Sequence, residues 1–509
     1  MPLLHYRRPG TFWHVGDGLI WDNLDVRFRR QERRPLECSS RLLIYNPQRR
    51  AAAVTVRFFH TDRAPTAVGV LIQPRAIESL ELSALDQVPH RQSFWMAVSS
   101  DVPVLPQARH EDYTFWDRVP DALISTSPYP GPLTGETCWV FPDCYESDPS
   151  GPWYELETLT ILNPNKRPAS VRVRYLLRHS EGGAEEEIEV GGERVAQLDV
   201  WERRPRPIGR PGGPPVHVSG DYAVRIDSTR PVIAQTTRRA RWSGYQCVIG
   251  ARSTMGFPCH GRGHTLWYYP GGAVIDRGIL PRAREQEHPL SQSDNSWNLL
   301  FINNPDDTHE AHATIAFHRP GRAAARSGPI AIAPLKSDLQ CLHGRPWLGS
   351  FTRVGEPFAI AVSADRPVVP EVTCAEFEMW SQVMPGAMSA VNLYPGPLRS
   401  ERTWWLGVGP AGGADDEPLE WAQSYHLFNQ AGRLRESGSP SLDWGAERRL
   451  HTRSLLRPGR WLWSSHLRLR ASLCTAPLRC ARRPTGRSAR RSSCAPSLAG
   501  CRTLAPCTR

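Results

Sequence analysis

Glu157, Gln235 and Arg238 bring a carboxylate, an amide and a guanidinium group into strand-like apolar surroundings. Glu157 lies in ELETLTILNP, and the other two residues lie in RPVIAQTTR. A charge beside apolar strands needs a partner, because an unpaired buried charge is costly. Two interpretations follow: Glu157 and Arg238 form a salt bridge that joins two strands, or the three residues contact a polar ligand.

Metal and hydrolase chemistry fit the sequence poorly. Cys259, His260 and His264 lie in CHGRGH, but two histidines four residues apart would need a helix to share a metal, and this segment is rich in glycine. The chain has no GxSxG motif and no P-loop, and no pair of acidic residues recurs along it. The sequence therefore predicts no enzyme, no metal site and no cofactor.

The segments that hold these residues belong to an internal repeat. A Thr-x-Trp block occurs four times, with its tryptophans spaced by 126, 128 and 138 residues. An apolar strand ending in Asn follows each block, and in the first three copies a Pro comes next. Asn-Pro between strands indicates a turn, because Pro fixes φ and the Asn side chain caps the turn. The tryptophans are Trp13, Trp139, Trp267 and Trp405, and the asparagines are Asn46, Asn163, Asn304 and Asn429.

A third block combines Pro-Val with an apolar strand at Pro103, Pro231 and Pro367, and an aromatic strand precedes each copy. Strands such as VRVRY at Val171 alternate apolar and polar residues, as half-buried strands do. About seven short strands in roughly 120 residues are typical of a β-sandwich or jelly roll. We therefore expect an all-β fold of tandem β-sandwich, jelly-roll-like domains, each preceded by a segment rich in Pro and Gly.

The expected domains are three complete sandwiches and a truncated fourth. We call them repeat 1 (residues 5–131), repeat 2 (135–258), repeat 3 (264–396) and partial repeat 4 (402–430). Residues 431–509 form a basic tail in which the repeat pattern is lost.

The net charge of +11 comes from the tail. Residues 431–509 hold 17 arginines and 3 acids, which leaves 45 basic and 48 acidic residues before them, a net charge of −3. The tail is rich in Arg, Ser, Pro and Cys, and the chain has only two lysines, which is typical of a frameshifted GC-rich gene. The alternative is a natural tail that binds nucleic acid or acidic surfaces. We favour the frameshift and expect the tail to pack poorly, so nucleic acid is not an expected partner.

Location follows from the apolar segments and the cysteines. No stretch has the ~18 apolar residues needed to span a bilayer, so no membrane partner is expected. Seven cysteines precede the tail without a CxxC pair, which indicates buried thiols in a reducing compartment. A cytoplasmic protein is the expectation.

Repeat 2 resembles a known family, the Anabaena-type sensory rhodopsin transducers. The resemblance is carried by the blocks TCWVFPDC, ELETLTILNP, VRVRYLL, ERVAQLDV, GDYAVRIDS and RPVIAQTTR, in order, over most of repeat 2. Repeats 1 and 3 show the same blocks more weakly. The resemblance implies small β-sandwich domains, tetrameric in the rhodopsin partner, that are regarded as modules for sugar-like ligands; DNA binding has also been suggested. It does not imply that this protein meets a rhodopsin. Because single-domain relatives form tetramers, the resemblance implies an intramolecular pseudo-oligomer of the tandem units or a homo-oligomer, with Trp95, Trp116 and Trp380 at interfaces.

Carried over residue by residue, the family pattern falls on eight residues of repeat 2: Thr137, Cys138, Trp139, Glu157, Asn163, Gln235, Thr237 and Arg238. The other repeats have Ser40, Asn298 and Gln423 in place of Glu157. They have Gln107 and Glu371 in place of Gln235, and His110 and Cys374 in place of Arg238. Repeat 2 is therefore predicted to have the best-formed ligand site. An indole ring can stack on a sugar face while polar side chains bind its hydroxyl groups. The predicted site residues are Trp139, Glu157, Asn163, Gln235, Thr237 and Arg238.

Purely structural roles are an alternative to ligand binding for some of these residues. A repeated Trp is typical of a sandwich core, and the Asn of an Asn-Pro block is typical of a turn. Two function classes therefore stay open. One is a non-enzymatic, sensory or transducer-type protein that binds a small polar or sugar-like ligand. The other is a structural or scaffolding protein whose sandwiches present surfaces to partners or to each other.

Overall fold

Strands form in repeat 1 because alternating residues bury one face of each strand. The computed structural model describes these strands together with most of repeats 1 to 3. All described residues belong to one unit, residues 1–470. None of them forms a helix that is long and apolar enough to cross a bilayer. The described residues are 10–19, 37–89, 92–113, 122–126, 129, 135–151, 153–178, 182–210, 212–242, 247–259, 264–273, 296–319, 323–342, 357–376, 387–392, 394–395, 403–404, 421–429, 434–438, 450–451 and 461–469.

The described residues confirm the predicted all-β class. Apart from two single 3-10 turns, Leu82–Ala84 and Val200–Glu202, the regular elements among them are β-strands. Repeat 1 contains β1 (Gly10–Leu19), β2 (Glu37–Tyr45), β3 (Ala52–Phe59), β4 (Thr66–Ile72), β5 (Ile77–Glu81), β6 (Ser93–Tyr113) and β7 (Ala122–Thr126). Repeat 2 contains β8 (Glu136–Glu146), β9 (Trp153–Asn163), β10 (Ala169–Leu177), β11 (Ala184–Val190), β12 (Arg194–Asp199), β13 (Arg206–Pro207), β14 (Gly220–Trp242), β15 (Cys247–Met255) and β16 (Phe257–Pro258).

Repeat 3 has the same order of strands. It contains β17 (His264–Ala273), β18 (Ser296–Asn303), β19 (Ala311–His318), β20 (Ala325–Arg326), β21 (Ile330–Ile332), β22 (Ser337–Cys341), β23 (Pro357–Glu376), β24 (Ala387–Asn392) and β25 (Tyr394–Pro395). The remaining strands are β26 (Thr403–Trp404), β27 (Trp421–Asn429), β28 (Leu434–Gly438), β29 (Leu450–His451) and β30 (Trp461–Leu469).

Part of the tail forms β-strands, and the expectation that the tail packs poorly stays a prediction. Two of its segments, β28 and β30, pair antiparallel with β27 of partial repeat 4. Alternation in the sequence predicts β30, because apolar residues of WLWSSHLRL recur at every second position near both ends of the segment. Residues 471–509 lie outside the described residues.

One long strand in each repeat belongs to two sheets. β14 pairs with β10 through Ser228 and with β9 from Ile233 onward. β6 and β23 behave alike, changing partner between Ser100 and Leu105 and between Ala364 and Val369. The sequence had predicted separate strands before and after each Pro-Val block, and this was wrong.

The proline explains how the strand stays continuous. Pro103, Pro231 and Pro367 each lie in the gap between the two sets of partners. A proline has no N–H to donate to a ladder, so it fits where the strand leaves one sheet and enters the next.

The repeated tryptophan holds this crossing in place. Trp139 is fully buried and its Nε1 donates to the carbonyl of Val232 at 2.9 Å, directly after Pro231. Trp13 makes the same bond to Val104 at 3.0 Å. In repeats 1 and 2 the Thr-x-Trp block therefore contacts the Pro-Val block, although the two are far apart in sequence. In repeat 3 Trp267 Nε1 donates instead to the carbonyl of His264 at 2.9 Å.

The repeated asparagine forms the turn predicted for it. Asn163 Nδ2 donates to the carbonyls of Arg167, Val190 and Gly191 at 2.9 to 3.0 Å, and its Oδ1 accepts from the N–H of Asn165. Asn46 and Asn304 make equivalent bonds in repeats 1 and 3.

The apolar cores are continuous between repeats. Alternation in β10 buries Val171, Val173 and Tyr175 against residues of the second sheet. The same cluster includes Phe59 and Trp95 of repeat 1. The core of repeat 3 likewise includes Val140 and Phe257 of repeat 2. Trp95 thus lies where repeats 1 and 2 meet, as expected, whereas Trp116 and Trp380 lie outside the described residues.

Candidate functional site

Arg238 and Glu157 lie directly opposite each other on β14 and β9. Arg238 Nε donates to Glu157 Oε2 at 3.0 Å, and both side chains are almost fully buried. A second carboxylate, Glu155, lies 3.7 Å from Arg238 Nη1. The sequence predicted this pair as either a salt bridge or a ligand contact, and the ion pair is present.

Asp143 of β8 joins the pair from the other sheet. Its Oδ1 accepts from Arg238 Nη2 at 2.8 Å, and its Oδ2 lies 2.9 Å from Arg252 Nη2. Arg252 lies on β15, opposite Arg238 in the strand register. One buried carboxylate is thus held between two guanidinium groups, and sequence reasoning had identified only one of these three residues.

Repeat 3 completes the arrangement. Glu371 of β23 accepts from Arg252 Nη1 at 2.9 Å, and the Thr373 hydroxyl donates to Asp143 Oδ2. We call Asp143, Glu157, Arg238, Arg252, Glu371 and Thr373 the junction cluster. It spans the contact between repeats 2 and 3 and is shielded from water, with Asp143 and Glu371 at 0 % exposure.

Ion pairing decides the charge at the centre of the junction cluster. Burial acts to raise the pKa of Asp143, but Arg238 and Arg252 outweigh it and hold the pKa below its usual range. Burial also opposes the charged form of Arg238, yet Asp143 and Glu157 raise its pKa well above its usual value. Asp143 and Arg238 therefore stay ionised inside the protein.

The outer carboxyl groups behave differently. Burial raises the pKa of Glu371 above its usual range, against the attraction of Arg252. Burial also raises the pKa of Glu146 to about 9. Glu146 Oε2 accepts from the backbone N–H of Glu157 at 2.8 Å, so this carboxyl supports the strand that carries Glu157. Buried carboxyls with raised pKa values beside an ion network mark a candidate functional site.

Gln235 and Thr237 lie on the opposite face of β14 from Arg238, because successive strand residues alternate. Gln235 Nε2 donates to Ser253 Oγ, and Thr237 Oγ1 lies 3.4 Å from the same oxygen. A Cβ atom at Gly16 of β1 would lie 1.8 Å from Gln235 Oε1. The missing side chain at Gly16 thus lets repeat 1 approach this face of repeat 2.

The structure does not bring the six predicted site residues into one cleft. Glu157 and Arg238 lie together in the junction cluster, and Gln235 and Thr237 lie together on the other face. The indole of Trp139 is in the core beside Tyr129, and Asn163 is in its turn. Contact of these residues with a ligand stays a prediction.

The other repeats place hydrogen-bonded pairs at the positions of Glu157 and Arg238. Ser40 Oγ lies 2.6 Å from His110 Nδ1 in repeat 1, and Cys374 Sγ lies 3.2 Å from Asn298 Oδ1 in repeat 3. Both pairs lie opposite each other in the strand register. The position is therefore shared while its chemistry changes from an ion pair to neutral hydrogen bonds.

Four residues of the junction cluster were missed from sequence: Asp143, Arg252, Glu371 and Thr373. The Asp of TCWVFPDC recurs in TFWHVGDG, at Asp143 and Asp17, and this recurrence was the available signal. Arg252 had no such signal in the sequence, because its role depends on lying opposite Arg238. Glu371 was aligned with Gln235, but a sequence alignment cannot show that it reaches a different repeat.

A disulfide corrects the prediction of free thiols. Cys138 is joined to Cys259, with the Cα atoms 5.4 Å apart, and the bond connects β8 to the segment that leads into repeat 3. Cys144 and Cys374 are not part of this disulfide and keep their thiol groups. Among the described residues no group of His, Cys, Asp or Glu side chains could hold a metal ion, and His260 lies outside them.

Arg238→Ala is predicted to destabilise the protein strongly. The substitution leaves Asp143 and Glu157 buried with one cation fewer, which should lower the free energy of unfolding by about 3–5 kcal/mol. Denaturant titration measures this, and Arg172→Ala on the exposed face of β10 is the control, expected within about 0.5 kcal/mol of the parent. A loss below about 1 kcal/mol for Arg238→Ala would contradict a structural ion pair.

Glu146 predicts a pH dependence of stability. Its pKa is raised from a usual 4.5 to about 9 in the folded protein, so between these values the folded state keeps a proton that the unfolded chain has lost. The free energy of unfolding should therefore fall as pH rises through this window. Glu146→Gln keeps an acceptor for the N–H of Glu157 without a charge, so its profile should be flatter, whereas Glu189→Gln at an exposed position should follow the parent. Parallel profiles for the parent and Glu146→Gln would refute the assignment.

Comparison with known proteins places repeats 1 and 2 in a family. A structure from Thermotoga maritima, protein 1070, is 22% identical and aligns with 24% of this chain and 94% of its own, with a TM-score of 0.20. The Anabaena sensory rhodopsin transducer is 18% identical, with 20% and 87% coverage and a TM-score of 0.17. A comparison with curated proteins found no significant match. The sequence model of the family described as Anabaena sensory rhodopsin transducer matches residues 10–130 and 134–257, so the chain contains two tandem domains of this family.

Proposed function

We propose that this chain is a non-catalytic, transducer-type scaffold. In this proposal its repeats pack side by side as an intramolecular pseudo-oligomer and present their outer surfaces to partner proteins. The two transducer-family domains support a role in relaying contacts between proteins. The cytoplasmic location expected from sequence stays a prediction, and the Cys138–Cys259 disulfide, of a kind that is rare in reducing compartments, is a reason to test it.

One observation carries the proposal: Asp143 of repeat 2 accepts from Thr373 of repeat 3 while Arg252 of repeat 2 binds Glu371 of repeat 3. These contacts are buried and involve charged side chains. Separation of the two repeats would therefore leave charged side chains without their partners in the other repeat. Domains that separate readily would not be expected to share buried contacts between charged side chains, because separation would leave those groups without their partners. The contacts support a single body rather than independent binding modules.

Contacts between repeats 1 and 2 support the same arrangement. Trp95 packs in the core cluster of repeat 2, and Ser93 Oγ donates to Gln197. Arg57 Nη2 lies 2.9 Å from Glu193 Oε1. Three successive repeats are thus linked by apolar and polar contacts together.

Small-angle X-ray scattering of the full chain tests the scaffold. A single body formed by residues 1–470, the unit that contains the repeats, should have a radius of gyration of about 23 Å. A clearly larger radius, with separate interdomain peaks in the pair-distance distribution, would mean that the repeats are beads on a string and would overturn the proposal.

A second candidate is the binding of a small polar, sugar-like ligand at the junction cluster. It is supported by hydrogen-bonding capacity that the described contacts leave unused, since Glu371 Oε2, Arg252 Nε and Glu157 Oε1 are buried and make no hydrogen bond among the described residues. Such groups are normally satisfied by ordered water or by a ligand. The resemblance of repeat 2 to sugar-binding modules points to the same ligand class.

A thermal-shift screen with common mono- and disaccharides tests this candidate. A ligand at about 100 times its Kd should stabilise the protein by about 2.7 kcal/mol, which raises the melting temperature measurably. Glu371→Gln should remove the shift, whereas Glu189→Gln at the exposed strand β11 should keep it. No shift with any sugar at millimolar concentration would leave the scaffold as the better account.

A further inference from the structure

The outermost strand of repeat 1 has an open edge. The order of strands in this sheet begins β4-β3-β6, so β4 lies at one end of the row. Its only neighbour among the described strands is β3. An edge strand turns a row of backbone N–H and C=O groups outward, and these groups can pair with another strand. Proteins normally block such edges with charges, prolines or covering segments.

β4 carries none of these blocking features. Its sequence is TAVGVLI, without a charge or a proline. Ala67, Gly69 and Leu71 are exposed, and Leu71 has 62% of its surface in solvent. Leu71 and Ile77, on either side of the turn that ends β4, are the two large apolar side chains exposed among the described residues. An apolar strand of this kind is prone to pairing.

Repeat 2 treats the equivalent edge differently. β11 pairs with the strand after the Asn-Pro turn, as β4 does in repeat 1. Its sequence is AEEEIEV, with four glutamates, and β13 pairs with its outer side at Ala184 and Glu185. The edge is thus charged and partly covered in repeat 2 but neutral and open in repeat 1. Two copies of one fold differ here in the property that controls association.

We propose that β4 is a self-association strand, which pairs antiparallel with β4 of a second copy of this chain about a two-fold axis at Gly69. In this register Gly69 faces Gly69 of the second copy, Val68 faces Val70, and Ala67 faces Leu71. The strand is therefore complementary to itself, with small and large apolar residues opposite each other and no charge in the pair. Two-fold symmetric dimers, which need this self-complementarity, are the commonest assemblies.

Gly69 has a local reason to lie at the axis. A Cβ atom added there would meet no other atom within 4 Å, so packing inside the repeat does not require glycine. Glycine inside a strand often marks a place where another backbone comes close. The association interface is separate from the junction cluster, so it does not depend on the proposed scaffold or ligand site.

Charge variants at Gly69 test the pairing in the full chain. Gly69→Lys and Gly69→Asp fit the isolated fold, because the space beside Gly69 is open. Side chains directly opposite each other across an antiparallel pair lie about 4.5–5.5 Å apart, so two lysines or two aspartates would repel. Sedimentation velocity over a concentration series should show self-association of the parent, and at least about tenfold weaker association for each variant alone.

Mixing the two variants gives the decisive result. Gly69→Lys and Gly69→Asp should associate with each other, because opposite charges then meet at the axis, and the mixture should recover the parent's mass. Gly328→Lys, at another open glycine in repeat 3, is the control for the added charge and should behave as the parent. Circular dichroism confirms that each variant is folded. A parent chain that stays monomeric at about 100 μM, unchanged association of Gly69→Lys, or a mixture no better than either variant alone would each overturn the proposal.

Discussion

The carboxylate of Asp143, buried between the guanidinium groups of Arg238 and Arg252, fixes how repeats 2 and 3 meet. A carboxylate with no exposed surface is stable only when cations and donors surround it. Two guanidinium groups and the hydroxyl of Thr373 do so here. Because Thr373 belongs to repeat 3 and the rest to repeat 2, the set of hydrogen-bond donors around Asp143 is complete only when both repeats are in place. Such networks are weak as a source of net stability but strict about geometry, and we infer that this strictness sets the register of the two repeats.

The pair at the position of Glu157 and Arg238 explains why three copies of one fold are not equivalent. Repeat 1 has Ser40 and His110 there, and repeat 3 has Asn298 and Cys374, so only repeat 2 of the three supplies a permanent cation at this position. The cation at this position binds the carboxylate of Asp143, and that carboxylate also binds Arg252. The neutral pairs bridge the same two strands without that requirement. All three repeats therefore keep a side-chain contact between these two strands. In repeat 2 this contact extends to further residues of the junction cluster.

The fold could be read from the sequence because its determinants are local and repeated. Alternation in VRVRY and the Asn-Pro blocks identified strands and turns, and the structure shows Val171 and Val173 buried and Asn163 bonded across its turn. The long strands were divided wrongly at Pro231, because a proline usually ends a strand and its role at a crossing between sheets depends on tertiary structure. The site was harder to predict. Glu157 and Arg238 could be paired from their types, but Glu371 reaches repeat 2 only through the packing of repeats, which no local pattern encodes.

A double-mutant cycle between Arg252 in repeat 2 and Glu371 in repeat 3 tests the central claim most directly. Arg252→Met, Glu371→Gln and the double variant would be unfolded by denaturant beside the parent, and the coupling taken from the four free energies of unfolding. At about pH 9, above the pKa of about 8 that burial gives Glu371, the Arg252–Glu371 contact is a buried ion pair and predicts a coupling of about 1–3 kcal/mol. Additive effects, with a coupling within about 0.3 kcal/mol of zero, would mean that the two repeats are not held together by this contact.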